Sequence, residues 1–222
     1  MSLWIKVCGN TSLEDARMAV DAGADAVGFV FAPSPRRVTV EQVAAIITKL
    51  PTSVETMGVF VDATVDEIVG AARGCGLTGV QLHFAASREL PGQLRALLGP
   101  GVRILRVVHF GAGAVEQVAE VAADADVDAV LVASRAPLAE GGTGVAFDWA
   151  GARETIFGRN GRVRMVAAGG LTPANVAEAI VTLRPWGVDA VSGIEAAPGR
   201  KDLAKVRAFI LNARAAASTG VK

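Results

Sequence analysis

Short runs of β-branched and other apolar residues alternate along the chain with longer Ala-rich stretches whose apolar positions recur at helical spacing. The runs are Leu3–Cys8, Ala26–Phe31, Glu55–Val61, Gly79–His83, Val102–Val108, Ala129–Ala133, Arg164–Ala168 and Val188–Ser192, eight in all. Each is short and nearly continuously apolar, as expected of strands covered on both faces. The stretches between them carry helix-start signals. Thr11 precedes Glu14 by three residues, Thr39 precedes Gln42, and Thr64 precedes Glu67. Each pair suits a capping box, in which two side chains satisfy free N–H groups at a helix start. Thr172-Pro173 puts proline at the first position of a helix, and Gly23 and Gly74 fall where helices should stop.

Strand and helix in strict alternation have two common solutions, an open doubly wound sheet and a closed barrel. Eight units within 222 residues favour the barrel, near the short end of its range. No linker rich in Pro, Gly or Ser and no shift in composition divides the chain, so residues 1–222 are expected to form a single α/β domain, a (β/α)₈ TIM barrel. In that architecture chemistry sits at the carboxyl ends of the strands and in the loops that follow them.

Composition narrows the field. Half of the residues are apolar, and 22 Lys+Arg balance 22 Asp+Glu. A zero formal charge does not suggest a nucleic-acid groove or a polybasic membrane patch. No apolar run reaches the roughly 18 residues of a membrane span, and no signal-peptide pattern opens the chain, so a cytoplasmic protein is expected. Two cysteines, Cys8 and Cys75, fit a reducing compartment, and with two histidines they argue against a dedicated zinc site.

The strand ends hold the candidate chemistry. Cys8 closes the first run and should point its sulfur into the barrel mouth, with Lys6 on the same face two residues earlier. A thiolate there serves as base or nucleophile if positive charge lowers its pKa, while the plainer role is a small buried hydrophobe. Cys75, in Gly-Cys-Gly at a helix end, reads as structural. After the second strand, Arg36 and Arg37 are suited to hold a carboxylate or phosphate, or else are solvated, and only one should face inward. Gln81 and His83 share a face at the end of the fourth strand, where histidine shuttles protons or simply packs. His109, after the fifth strand, is a weaker candidate. Three glycine-rich loops follow the sixth, seventh and eighth strands, at Gly141-Gly142-Thr143-Gly144, Gly169-Gly170-Leu171 and Ser192-Gly193-Ile194-Glu195. Glycine lets backbone N–H groups approach an anion, and the last two loops of this fold are its usual phosphate cradle, so a phosphorylated substrate is expected.

In order along the chain, Lys6-Val7-Cys8-Gly9, Gly28-Phe29-Val30-Phe31 with Arg36, Gln81-Leu82-His83, Gly141-Gly142-Thr143-Gly144 with Phe147-Asp148-Trp149, Gly169-Gly170-Leu171 with Asn175, and Ser192-Gly193-Ile194-Glu195 with Pro198-Gly199 and Lys201-Asp202 resemble the phosphoribosylanthranilate isomerase family. The resemblance runs from residue 4 to about 213. It implies an Amadori rearrangement of N-(5-phosphoribosyl)anthranilate to 1-(2-carboxyphenylamino)-1-deoxyribulose 5-phosphate in tryptophan biosynthesis, with no metal or organic cofactor. It further implies Cys8 as the base, Arg36 on the anthranilate carboxylate, and the phosphate on Gly169, Gly170, Ser192 and Gly193. Lys6, Gln81, His83, Gly142 and Gly144 would complete the substrate site, in a monomer or homodimer whose partner is the small phosphoribosyl substrate.

One position departs from the family. Its general acid is an aspartate at the end of the sixth strand, and here the matching stretch reads Leu131-Val132-Ala133-Ser134. Alanine has no proton to give, and losing a well-placed acid costs on the order of 10²–10⁴-fold in rate. Asp128 should lie at the opposite end of that strand, roughly 16 Å away. Glu140 lies in the following loop, and Ser134 is too weakly acidic, so no replacement is evident in the sequence. A pentose-phosphate epimerase would gather metal-binding histidines, and a bifunctional isomerase would carry aspartate in place of Cys8. The remaining alternative is a catalytically silent barrel that only binds phosphoribosyl ligands.

Overall fold

A computed structural model describes residues 3–83, 87–134, 147–158 and 163–219. Eight parallel strands, β1 (Trp4–Val7), β2 (Ala26–Val30), β3 (Glu55–Phe60), β4 (Gly79–Leu82), β5 (Arg103–His109), β6 (Ala129–Ala133), β7 (Arg164–Ala168) and β8 (Gly187–Ala190), close into a barrel in chain order. Closure is made by β1 on β8, with Ile5 opposite Val188 and Lys6 opposite Asp189. The helices outside are α1 (Leu13–Asp21), α2 (Val40–Ile47), α3 (Val65–Cys75), α4 (Leu90–Leu98), α5 (Ala114–Ala123), α6 (Trp149–Ala152), α7 (Val176–Leu183) and α8 (Leu203–Thr219). A π-helical turn, Arg153–Phe157, extends α6, and a small antiparallel pair, β9 (Glu195–Ala197) and β10 (Arg200–Lys201), follows β8.

Period-two alternation sorts the strand residues into two cores. Ile5, Val7, Val27, Phe29, Leu82, Ile104, Val132 and Val188 point outward and pack beneath the helices with Ile68, Leu94, Ile156 and Phe209. Trp4, Met57, Leu105, Leu131 and Val166 point inward and fill the barrel. This double coverage is why the strands read as continuous apolar runs. Truncating one of these fully buried side chains, Leu131 for instance, would cost about 2–5 kcal/mol because the neighbours cannot collapse into the gap. At the amino-terminal end of the barrel Trp4 stacks on Trp186 at 5.0 Å, and Arg103 and Arg164 lie over the Trp186 ring.

Thr39 with Gln42 and Thr64 with Glu67 form complete capping boxes. Three other boundaries differ from the sequence expectation. At α1 the cap is Ser12, which accepts from Asp15 N–H, because the Thr11 hydroxyl instead donates to Gly199 O at 2.6 Å and ties the first loop to the β9–β10 pair. At α3 the helix runs through Gly74, and Gly76 takes the left-handed terminating position at φ 71°. Before α7, residues 173–175 form a turn and the helix begins at Val176. Asn175 clamps that turn, its Oδ1 accepting from Thr172 N–H and its Nδ2 donating to Gly170 O. Among the described residues no helix is long and apolar enough to cross a membrane.

Candidate active site

The carboxyl ends of the strands surround a cavity of about 240 Å³ lined by Cys8, Arg36, Gln81, His83, Ala133, Asp189 and both glycine loops after β7 and β8. Cys8 follows β1 directly, is 3% exposed, and is fixed by its backbone N–H to Ala190 O at 2.9 Å. The buried Asn10 side chain donates to Val7 O and Gly28 O and holds the turn behind the thiol. Gly28 on the neighbouring strand leaves room for the sulfur, since a Cβ there would lie 2.5 Å from Cys8 Sγ and 3.0 Å from Lys6 Cε.

Lys6 is fully buried, and its Nζ donates to Gln81 Oε1 and to Asp189 Oδ2, each at 2.9 Å. Burial disfavours its charge, but the Asp189 carboxylate and the Cys8 sulfur outweigh burial and hold its pKa above the ordinary lysine value. Burial pushes the Cys8 thiol up, with the Lys6 ammonium working against it. Burial also pushes Asp189 up, again opposed by Lys6. Asp189 Oδ1 has no hydrogen-bond partner among the described residues.

Because Gln81 accepts from Lys6 through its oxygen, its amide nitrogen must be the donor to His83 Nε2 at 2.8 Å. His83 is therefore the Nδ1–H tautomer. Its pKa falls to about 3, through burial first and then the charges of Lys6 and His109. His109 is the last residue of β5, stands opposite Ala133, and faces His83 with ring centroids 6.1 Å apart.

Of the two adjacent arginines, Arg36 is buried and faces the mouth, while Arg37 is exposed. The Arg36 fork is engaged by Glu195, Nε to Oε1 at 2.8 Å and one terminal nitrogen to Oε2 at 2.6 Å. Lys201 Nζ completes this knot, donating to Glu195 Oε1 at 3.1 Å and to Cys8 O at 2.6 Å. The Glu195 hydrogen bond raises the Arg36 pKa further. Burial would raise Glu195, yet Arg36 and Lys201 together hold it below the ordinary carboxyl value.

The glycine loops meet. A Cβ on Gly193 would lie 2.1 Å from Leu171 O, and one on Gly169 would lie 2.4 Å from Ser134 N. Gly169 and Gly170 both have positive φ, at 81° and 68°. Gly169, Gly170, Ser192 and Gly193 all line the cavity. Gly142 and Gly144, with Glu140, lie outside the described residues. Asp128 lies just before β6, at the end of the barrel opposite the mouth, bound to Arg95 and to the Ile104 N–H. Cys75 is buried away from the mouth, donating to Val40 O at 3.3 Å, with its pKa raised to about 11 by burial.

Sequence reasoning passed over Asp189. The signal was there: a carboxylate inside Gly187-Val188-Asp189-Ala190, in a strand covered on both faces, where an unpaired charge is costly.

A model of the family described as N-(5'phosphoribosyl)anthranilate (PRA) isomerase matches residues 5–212. The chain is 44% identical over 211 residues to N-(5'-phosphoribosyl)anthranilate isomerase of Geobacter sp. (strain M21), covering 95% of this chain and 97% of that protein. It superposes on phosphoribosyl anthranilate isomerase from Thermotoga maritima with a TM-score of 0.83 at 35% identity, over 96% of this chain and 99% of that one. It also superposes, with a TM-score of 0.79 at 33% identity and over 96% and 99% of the two chains, on a phosphoribosyl anthranilate isomerase in complex with reduced 1-(o-carboxyphenylamino)-1-deoxyribulose 5-phosphate. With the closed barrel and a thiol, an ammonium and a carboxylate gathered at its mouth, these matches place the chain in the phosphoribosylanthranilate isomerase family, the isomerases of tryptophan biosynthesis.

Proposed function

We propose that the barrel mouth isomerises N-(5-phosphoribosyl)anthranilate by an Amadori rearrangement in which Cys8 is the base. The observation that carries this reading is the Cys8 thiol in the cavity, seated over Gly28 and beside the buried Lys6 ammonium. The chemistry has three demands. The ring oxygen takes a proton as the C1–O bond breaks, and the anthranilate nitrogen lone pair forms an iminium. The iminium acidifies the C2 proton, which the Cys8 thiolate removes. The enolamine then tautomerises to the ketone. Lys6 favours the thiolate by charge.

In this reading the remaining residues bind. Arg36 holds the anthranilate carboxylate with the donor face that Glu195 leaves free. Gly169, Gly170, Ser192 and Gly193 present backbone N–H groups to the phosphate. Gln81 and His83 form one wall, with Gly142 and Gly144 expected to complete the site. No metal or organic cofactor takes part. The whole chain acts as one domain, in the cytoplasm, as a monomer or homodimer on its small phosphoribosyl substrate.

Ala133, buried at the end of β6, stands where the family's acid is expected, and this slows the reaction. It also favours a second reading, a barrel that binds the phosphoribosyl ligand without turning it over. Loss of phosphoribosylanthranilate fluorescence separates the two. The isomerase reading expects Ala133→Asp to turn over at least about a hundredfold faster than the chain itself, and Cys8→Ser to abolish turnover in both backgrounds. Ligand affinity with no turnover in any variant would favour the binding-only barrel.

A further inference from the structure

The reaction needs a proton donor at the ring oxygen, and the described wall of the cavity limits the choice. Its titratable side chains are Cys8, Arg36, His83, His109 and Asp189. Cys8 is occupied as the base. Arg36 is held charged by Glu195. His83 Nε2 accepts from Gln81, and at a pKa of about 3 the ring is neutral at physiological pH. His109 is exposed on the rim, its Nδ1 engaged by Ser134 O at 3.4 Å.

Asp189 differs from all of these. It lines the cavity and is 4% exposed, one of its oxygens is spent on Lys6, and the other is buried with no hydrogen-bond partner among the described residues. A buried carboxylate oxygen left unpaired is expensive unless something else uses it. Its place in the barrel is also right. Ala168 stands opposite Asp189, and Val132 opposite Ala167, so Ala133, Ala168 and Asp189 occupy one level on three successive strands. Two strand spacings, about 10 Å between backbones, separate residues 133 and 189. Ala168 is the residue of the intervening strand at that level.

We propose that Asp189 is the general acid of this chain, protonating the ribose ring oxygen through Oδ1 in place of the carboxylate missing at Ala133. The proposal rests on the isomerase reading above. The proton balance closes within one buried cluster. Lys6 stays an ammonium, and Cys8 and Asp189 share a single proton, so the three groups together are neutral. In the reactive tautomer the proton is on Asp189 and Cys8 is a thiolate. Asp189 gives its proton to the ring oxygen as the C1–O bond breaks, and Cys8 takes the C2 proton as the C1–C2 double bond forms. The cluster is left as thiol and carboxylate with its charge unchanged. Transfer of the proton from Cys8 to Asp189, both beside Lys6, restores the reactive form.

A double-variant cycle on the full chain tests this and separates proton donation from mere support of Lys6. Asp189→Asn is made alone and together with Ala133→Asp, and kcat and KM are measured for all four proteins. The expected result is at least a hundredfold loss in kcat from Asp189→Asn in the Ala133 background, shrinking to tenfold or less when Ala133→Asp is present. An equal loss in both backgrounds overturns the proposal and makes Asp189 a positioning residue for Lys6. A loss under threefold in the Ala133 background also overturns it, as does a chain with no turnover of its own while Ala133→Asp is active. No turnover by either of those two would remove the isomerase reading as well. Asp189→Glu, which keeps a charge opposite Lys6, covers the case in which the asparagine variant does not fold. A cost equal in the two backgrounds overturns the proposal there too.

Discussion

Gly28 lies against Cys8 so closely that a single methyl group would meet the sulfur, 2.5 Å from Sγ. The same methyl would press on Lys6 Cε at 3.0 Å and on Cys8 Cβ at 3.1 Å. A contact under 3.0 Å is relieved only by movement; the lysine is fully buried, and the thiol borders the cavity into which it can yield. Gly28→Ala should therefore turn the thiol away from its place beside the ammonium. We expect a fall in kcat of at least tenfold with a stability loss of about 1–3 kcal/mol, the usual cost of overpacking. Steady-state kinetics and urea unfolding on the same preparation check both numbers. Unchanged kcat would mean that the position of the sulfur is not critical.

The hydrogen bond from Gln81 fixes the His83 tautomer, and burial near Lys6 keeps the ring neutral. The folded pKa of about 3 lies below the ordinary 6.5, so the unfolded chain binds a proton that the native ring refuses. Stability drawn from this residue is intact above pH 6.5 and declines as the pH falls toward 3. Nitrogen-15 spectra of the imidazole at pH 5 should show a neutral ring with its proton on Nδ1. Replacing His83 by Asn should flatten the fall of Tm between pH 7 and 4. A cationic His83 signal at pH 5 would contradict this account.

The barrel was legible because its strands are covered on both faces. Runs such as Ala129–Ala133 and Arg164–Ala168 carry the same bounds in sequence and structure. Boundaries set by tertiary contacts were not. Thr11 has the sequence of a cap but is drawn to Gly199, and Pro173 begins a turn because Asn175 clamps it. The site was legible where a residue's place on the strand decides its direction, as at Lys6, Cys8, Gln81 and His83. Partnerships across the barrel were hidden, because Lys6 with Asp189 and Arg36 with Glu195 join residues 183 and 159 positions apart. No local spacing reports such a pair.

Contact between the two glycine loops carries the next expectation. A Cβ on Gly193 would lie 2.1 Å from the Leu171 carbonyl oxygen and 3.0 Å from Thr172 Cγ2, so one loop must retreat from the other. The obstacle is backbone, which cannot swing aside as a flexible side chain does. Gly193→Ala should raise KM for the phosphorylated substrate at least tenfold and weaken competition by inorganic phosphate, with a smaller effect on kcat. Gly70→Ala is the control, since a Cβ on Gly70 in α3 meets nothing within 4 Å, and alanine favours the helix by up to about 1 kcal/mol. Equal KM values for the two variants would mean that the loop contact does not shape the phosphate site.

Glu195 joins Arg36 and Lys201 behind the Cys8 carbonyl, and its pKa lies below the ordinary 4.5 because those two cations outweigh its burial. A carboxyl depressed in the folded state contributes stability that is present above its unfolded pKa and is lost as the pH falls through the folded one. Glu195→Gln keeps the shape but leaves two buried cations sharing a neutral amide. Breaking a buried pair in this way costs about 3–5 kcal/mol at neutral pH. The stability gap between the chain and Glu195→Gln, read by urea unfolding, should be full at pH 7 and should close as the pH falls below 4.5. Closure comes from the acid side alone, because the arginine and lysine keep their protons throughout that range. A gap that stays constant from pH 7 to 3 would place the loss in packing and leave the charge of Glu195 without a role in holding Arg36 at the mouth.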